Sequence, residues 1–237
     1  MKSLKKHQIE RQKGLSRSNI RDFILGFQDG LVNILGLVLG VASAVKDTKI
    51  VLISGLAATF AESISMAAVA YTSNKAAHQY YESQLEKEKG EIKEIPDTEV
   101  EEIRDIYYKK GFRGNQLKSI VNKITSNKKL WLDTMMAEEL KLYTEDYENP
   151  IKSGFVVGAS AVIGSLIPIL PFFFLEIKIG MLYALILSVI TLFIVGAAKA
   201  KVTIGSWIKN GFEMAAIGTI AALAGYIIGS LLGVVYL

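Results

Sequence analysis

The sequence contains no cysteine, and this absence excludes disulfides and thiolate metal sites while leaving the redox compartment undetermined. Histidine is almost as scarce. His7 and His78 are the only two, and neither stands in the Glu-x-x-His pattern of di-iron helical proteins. A Walker loop and a dinucleotide fingerprint are also missing, so nucleotide-driven chemistry is disfavoured.

Long apolar runs are what the sequence has in abundance. Hydrophobic residues make up 51% of the 237 residues, and the mean hydropathy is +0.32. They are concentrated in five windows, at about 23–45, 50–73, 154–175, 180–198 and 211–235. Each window is close to the ~20 residues that a helix needs to cross the hydrocarbon core, where backbone groups must pair internally. The sequence therefore predicts an all-α polytopic membrane protein with five transmembrane helices.

Positive charge is distributed unevenly along the chain. Residues 1–21 carry seven Lys and Arg against the single Glu10, and Lys199, Lys201 and Lys209 follow the fourth window. The short connections at 46–49 and 176–178 carry few charges. By the positive-inside rule the N-terminus lies in the cytoplasm and the C-terminus on the opposite side, as five crossings require. We interpret the basic N-terminus as a topology signal and expect no nucleic-acid partner.

The apolar windows divide the chain into four parts. We predict a cytoplasmic N-terminal segment at 1–20, transmembrane helices 1 and 2 at 21–73, a cytoplasmic helical metal-binding domain at 74–149, and transmembrane helices 3–5 at 150–237. No proline occurs between the second window and Pro96, so its helix is expected to continue into the cytoplasm. Pro96 is expected to end that helix. Further helices are predicted from a cap at Asp97 or Thr98 to Gly111, after Gly114, and from about Asn127 to Tyr143.

Polar side chains interrupt the first two apolar windows. Asp29 and Asn33 stand one helical turn apart near the middle of the first, and Glu62 and Met66 share a face of the second. An ionisable residue inside a span is costly and usually marks an ion path, so we predict a cation pathway here. The alternative is that Met66 fills space and that Glu62 is hydrogen-bonded structure. Glu213, at the start of the fifth window, is a candidate for the pathway mouth.

The helical insert carries a second set of candidate ligands. Its acidic residues recur every third position, and two methionines precede Glu139 by four and three residues. The acids are Glu88, Glu91 and Glu94 on one helix and Glu99, Glu102 and Asp105 on the next, and the methionines are Met135 and Met136. Carboxylates with thioethers suit a borderline ion such as Fe²⁺ or Mn²⁺ better than Ca²⁺ or Mg²⁺. Solvated acidic faces with i,i+4 lysine partners remain the alternative.

Four stretches resemble the vacuolar iron transporter family (VIT/CCC1), in order and from about residue 20 to the C-terminus. They are DGLVNILGLVLGVA, SMAAVAYTS, EIRDIYYKKGF and WLDTMMAEEL. The resemblance implies a five-span homodimer that moves Fe²⁺, often also Mn²⁺, out of the cytosol in exchange for protons. It implies cytoplasmic helices that bind the metal, a pore at the dimer interface, no permanent cofactor and no enzymatic activity.

The resemblance also assigns residues. Asp29 matches the family's span-one aspartate and Met66 its span-two methionine. Ligands in the insert are implied at Glu91, Glu94, Glu102, Asp105, Met135, Met136 and Glu139. Many eukaryotic members have Gly-Glu-Tyr where this chain has Val69-Ala70-Tyr71, so we interpret the chain as a prokaryotic-type member in which Glu62 supplies the missing carboxylate. Asp105 replaces a glutamate and so has a shorter reach.

Three other functions stay open at this point. The chain could be a metal-binding membrane sensor without transport, a ferroxidase-like membrane protein, or a carrier specific for Mn²⁺ or another divalent ion. The expected partners are membrane lipid, a second copy of the chain, divalent ions and protons. The membrane is the plasma membrane for a prokaryotic protein and the vacuolar membrane for a eukaryotic one.

Overall fold

The computed structural model describes residues 2–143, 149–200 and 205–236, with side chains over 19–143, 149–200 and 205–232. This part of the chain is helical and contains no strand, which confirms the predicted all-α class. The helices are α1 (Lys2–Ala44), α2 (Thr48–Glu94), α3 (Pro96–Lys109), α4 (Gly114–Thr125), α5 (Lys128–Thr134), α6 (Pro150–Ile169), α7 (Ile177–Ala200) and α8 (Trp207–Tyr236). A π-helical turn at Met135–Glu139 follows α5, and a 3₁₀ turn at Leu170–Phe173 follows α6.

Five helices are long and apolar enough to cross a membrane, as predicted. They cover Asn19–Ala44, Thr48–Glu94, Pro150–Phe173, Ile177–Ala200 and Trp207–Leu232. At 1.5 Å per residue the 47 residues of α2 extend about 70 Å, more than twice the ~30 Å hydrocarbon thickness. The apolar part of α2 is therefore followed by a long polar continuation, because no proline interrupts the helix before Pro96.

The chain forms two compact units. The first comprises Met1–Tyr71 and Pro150–Leu237, and the second comprises Thr72–Asn149. Each unit has its own apolar core.

In the first unit α1 packs against α6 and α8. The contact is very close, because a Cβ on Gly30 would overlap the carbonyl of Ala161, and one on Gly225 would overlap the carbonyl of Gly36. Small residues permit this approach, and in a membrane close packing replaces the hydrophobic driving force between helices.

In the second unit α3, α4 and α5 surround an apolar core. Its buried residues are Ile103, Leu117, Val121, Ile124, Trp131 and Met135. The side chain of Asn127 caps α5 by accepting hydrogen bonds from the backbone N–H groups of residues 129 and 130. The helix predicted to reach Tyr143 ends at Glu139, because Lys141 adopts a left-handed conformation with φ 58° and the Leu142 N–H donates to the Met136 carbonyl.

Candidate metal sites

Three carboxylates of the second unit converge on one point. Glu88 of α2, Glu99 of α3 and Glu139 of the π-helical turn each offer one oxygen within 4.8 Å of the others. Glu88 and Glu99 are only 3% exposed. Glu88 Oε1 and Glu99 Oε2 are buried without a hydrogen-bond partner among the described residues. A buried, unpaired carboxylate oxygen is unfavourable, so this arrangement requires a proton or a cation.

The local sequence explains why these acids turn inward. Glu88 stands at the spacing of the apolar residues Leu85 and Ile92, and Glu99 precedes the fully buried Ile103 by one helical turn. Both glutamates therefore occupy apolar stripes that the fold buries. We call Glu88, Glu99 and Glu139 the acid cluster.

The carboxyl groups of the acid cluster have raised pKa values. Glu88 lies in the polar continuation of α2, outside its apolar part. Burial raises the pKa of Glu88 to about 8, and its interactions with Glu99 and the negative charges of Glu139 and Glu91 act in the same direction. Burial, followed by the charge of Glu102, raises the pKa of Glu139 to about 7. Burial also raises the pKa of Glu99. A divalent cation would replace these protons and neutralise the cluster.

The structure separates the remaining predicted acids into two groups. Glu91 and Glu102 are half-buried, whereas Glu94 and Asp105 are exposed and lie outside the cluster. Three residues advance a helix by about 300°, so each step falls about 60° short of a full turn. After two steps Glu94 and Asp105 have rotated away from Glu88 and Glu99. Glu99 is among the candidate acids of the insert but outside the ligand set that the family resemblance implies, and its place on the apolar stripe accounts for its burial.

The solvated-face alternative describes Glu86, Glu91 and Glu101. These acids form ion pairs with neighbouring basic residues at helical spacing, as solvated acidic faces do. The pairs are Lys87–Glu91 at 3.4 Å, Lys89–Glu86 at 2.5 Å, and Arg104–Glu101. Glu88 and Glu99 form no such ion pair within the described part of the chain. The acid cluster is therefore distinct from the charged surface around it.

The two methionines differ in their surroundings. Met135 is fully buried and packs in the core with Ile103 and Trp131. Its role as a ligand stays a prediction. Met136 is also buried, at 2% exposed. It shares the π-helical turn with Glu139, and that turn is closed by a 3.2 Å hydrogen bond from Leu140 N–H to the Met135 carbonyl. Such turns occur frequently at functional sites.

The polar residues of the first two spans meet in the first unit. Asn33 Nδ2 of α1 donates a 2.5 Å hydrogen bond to Glu62 Oε1 of α2, and Asp29 also interacts with the Glu62 carboxylate. Asn33 is exposed, while Asp29, Glu62 and Met66 are half-buried. The four residues predicted in these spans therefore lie on one helix pair.

Glu213 is more exposed than Asp29, Glu62 and Met66. Its side chain is exposed on the seventh residue of α8. The neighbouring Met214 is buried against Phe27, Leu31 and Leu192. A role for Glu213 at the pathway mouth stays a prediction.

Comparison with known proteins gives a consistent result. The sequence profile described as the VIT family matches residues 20–230. The protein named "Vacuolar iron transporter 1" of Arabidopsis thaliana is 32% identical over 208 residues, which cover 87% of this chain and 83% of that protein. "Vacuolar iron transporter" of Centaurea cyanus is 33% identical, with 87% and 85% covered. "Protein CCC1" of Saccharomyces cerevisiae is 29% identical over 223 residues, with 90% and 69% covered.

These relatives include proteins named as transporters, and none of the three is named as an enzyme. The profile match spans both apolar parts of the chain and the helical insert between them. The predicted resemblance is confirmed, and the chain belongs to the VIT family of membrane transporters.

Proposed function

We propose that this protein carries Fe²⁺, and also Mn²⁺, across a membrane and out of the cytosol. The observation that carries the proposal is the contact between Asn33 and Glu62 beside Asp29, within the apolar parts of two helices. Acidic groups in a span are costly and typical of ion pathways. The names of the relatives support iron as the cargo.

The acid cluster collects the ion before transport. Its carboxylates supply hard oxygen ligands, and the buried Met136 on the same turn as Glu139 supplies a soft sulfur. Mixed oxygen and sulfur donors favour borderline ions over Ca²⁺ and Mg²⁺. Glu91 and Glu102 add negative charge that attracts a cation.

Transport is coupled to proton movement in the opposite direction. The raised pKa values of Glu88, about 8, and Glu139, about 7, leave both groups partly protonated near neutral pH. Because a carboxylate binds either a proton or a metal ion, loading the cluster releases protons. Within the spans, Asp29 and Glu62 offer carboxylates as ligands to the ion.

The transporter works as a homodimer. Asn33 is exposed and Asp29 and Glu62 are half-buried on the surface of the first unit. In a single copy these groups would face hydrocarbon, at a cost of a few kcal/mol each. A second copy packed against the same face would cover them and place both sets along one pathway.

The orientation follows from the charge pattern. The N-terminus and residues 74–149 lie in the cytoplasm and the C-terminus on the opposite side, since the basic segments flank the cytoplasmic ends of the spans. The membrane is the vacuolar membrane in a eukaryotic cell and the plasma membrane in a prokaryotic one.

Uptake of Fe²⁺ into proteoliposomes tests the proposal. We expect Asp29→Ala to reduce uptake to the level of protein-free vesicles, because the variant removes the span-one carboxylate while leaving the Asn33–Glu62 contact in place. Glu176→Gln, in the connection between α6 and α7, is the matched control for a lost carboxylate and should transport normally.

Three outcomes would contradict the proposal. Normal uptake by Asp29→Ala would remove the residue from the pathway. Tight metal binding without uptake by the unmodified protein would indicate a sensor. Oxygen consumption on addition of Fe²⁺ would indicate a ferroxidase.

A further inference from the structure

The contacts between α1 and α2 define the register of the two helices. Val38 lies against Gly55, with its Cγ1 3.1 Å from the position of a Cβ there, and Asn33 donates to Glu62. The two helices are therefore antiparallel and are joined by the short connection at 45–47. Residues earlier in α1 lie opposite residues later in α2. One helical turn further in the same direction, Asp29 lies at the level of Met66.

The spans thus carry polar groups at two levels, the Asp29–Met66 level and the Asn33–Glu62 level. They are separated by four residues on each helix, or about 6 Å along the axis. The Asn33–Glu62 level is the nearer of the two to the 45–47 connection on both helices. Under the proposed orientation that connection lies on the far side of the membrane, so an ion leaving the cytosol reaches Asp29 and Met66 first.

The two levels offer different donors. The Asp29–Met66 level combines a carboxylate with a thioether, whereas the Asn33–Glu62 level has a carboxylate and an amide and no sulfur. Soft sulfur favours Fe²⁺ over Mg²⁺ and Ca²⁺. The Asp29–Met66 level would therefore select the ion. The Asn33–Glu62 level has no sulfur, so it would hold Fe²⁺ less strongly and suit its release.

We propose that Glu62 is the release-side ligand of the pathway and that Asn33 is the positioning residue that holds it there. This inference rests on the proposed transport function. Two neighbouring carboxylates repel each other, and Glu62 interacts with Asp29 as well as with Asn33. The Asn33 amide holds Glu62 Oε1 through a 2.5 Å hydrogen bond, which fixes the position of this carboxylate beside Asp29.

Concentration-dependent Fe²⁺ uptake by the full-length protein in proteoliposomes tests this assignment. For Glu62→Gln and Asn33→Leu we expect KM to stay within about twofold and the maximum rate to fall about tenfold, because the first level still loads while release is impaired. The double variant should be no slower than Glu62→Gln, since Asn33 acts only through Glu62. Asn33→Gln, which retains an amide donor, should recover part of the rate.

Gln28→Leu is the control for removing an amide from a half-buried position on α1, and it should transport normally. Additive losses in the double variant, or a raised KM with an unchanged maximum rate, would overturn the assignment. Normal rates for Glu62→Gln alongside active unmodified protein would refute it while leaving transport intact. Absence of uptake by the unmodified protein would instead refute the proposed function. Asn33→Ala provides a second variant without a donor if Asn33→Leu does not fold.

Discussion

The buried carboxylate oxygens of the second unit lie among other carboxylates, whereas Glu62 in the first unit lies beside Asp29 and also accepts a hydrogen bond from the amide of Asn33. In the acid cluster, burial and like charges raise the pKa of Glu88 and leave buried oxygens without partners. The Asn33 amide, by contrast, satisfies one Glu62 oxygen from within the protein. Under the proposed function, we infer from this difference that the acid cluster captures the cation and that the Asn33–Glu62 contact holds a ligand in place while the ion passes.

The largest expected effect comes from removing the buried carboxylates. Replacing Glu88 and Glu99 together by Gln should weaken metal binding by about 100-fold, since both are central to the cluster. Isothermal titration of the full-length protein in detergent with Mn²⁺ measures the affinity. Glu86→Gln with Glu101→Gln changes the charge equally on the exposed, paired faces and is the matched control. An equal loss in the control would show that net charge, and not the cluster, attracts the ion.

A smaller effect is expected from pH in the absence of metal. The pKa of Glu88 rises from 4.5 to about 8 and that of Glu139 to about 7. The folded state then binds more protons than the unfolded state between these values, so the stability of the second unit should fall as the pH rises from about 5 to about 8. Amide hydrogen exchange over residues 88–139 measures this stability, and Mn²⁺ should restore it at pH 8.

Glu88→Gln removes the carboxyl group with the most strongly raised pKa, so the stability of the second unit should then depend less on pH. The control is Glu86→Gln, an exposed position two residues earlier on α2. Stability that increased with pH would contradict the burial of protonated carboxylates in the cluster.

The smallest effect is expected at the acids that the helix turns away from the cluster. Glu94→Gln and Asp105→Asn should each change the Mn²⁺ affinity by less than about twofold, whereas Glu102→Gln should weaken it by about tenfold. The same titration compares all three. A loss at Glu94 or Asp105 equal to that at Glu102 would favour the ligand set implied by the family resemblance over the one that the helical geometry brings together.

Much of the architecture was predictable because its causes are local. Long apolar runs require helices in a membrane, an absence of proline lets α2 continue past the apolar region, and α2 ends just before Pro96. The cap of the next helix is Ile95 and not the predicted Asp97 or Thr98. The end of the last helix of the insert was not predictable in this way. No glycine marks the left-handed turn at Lys141, and the π-helical geometry before it depends on the packing of Met135 in the core.

The sequence by itself determined the five spans, the helical insert, the polar residues inside the membrane and the family to which the chain belongs. These depend on composition and on neighbours within a few residues. Only the tertiary structure decided that Glu99 joins Glu88 and Glu139, that Glu94 and Asp105 turn outward, and that Asn33 contacts a residue 29 positions away. The physical reason is that burial and contact depend on how helices rotate and pack against one another, which residue spacing along one helix does not specify.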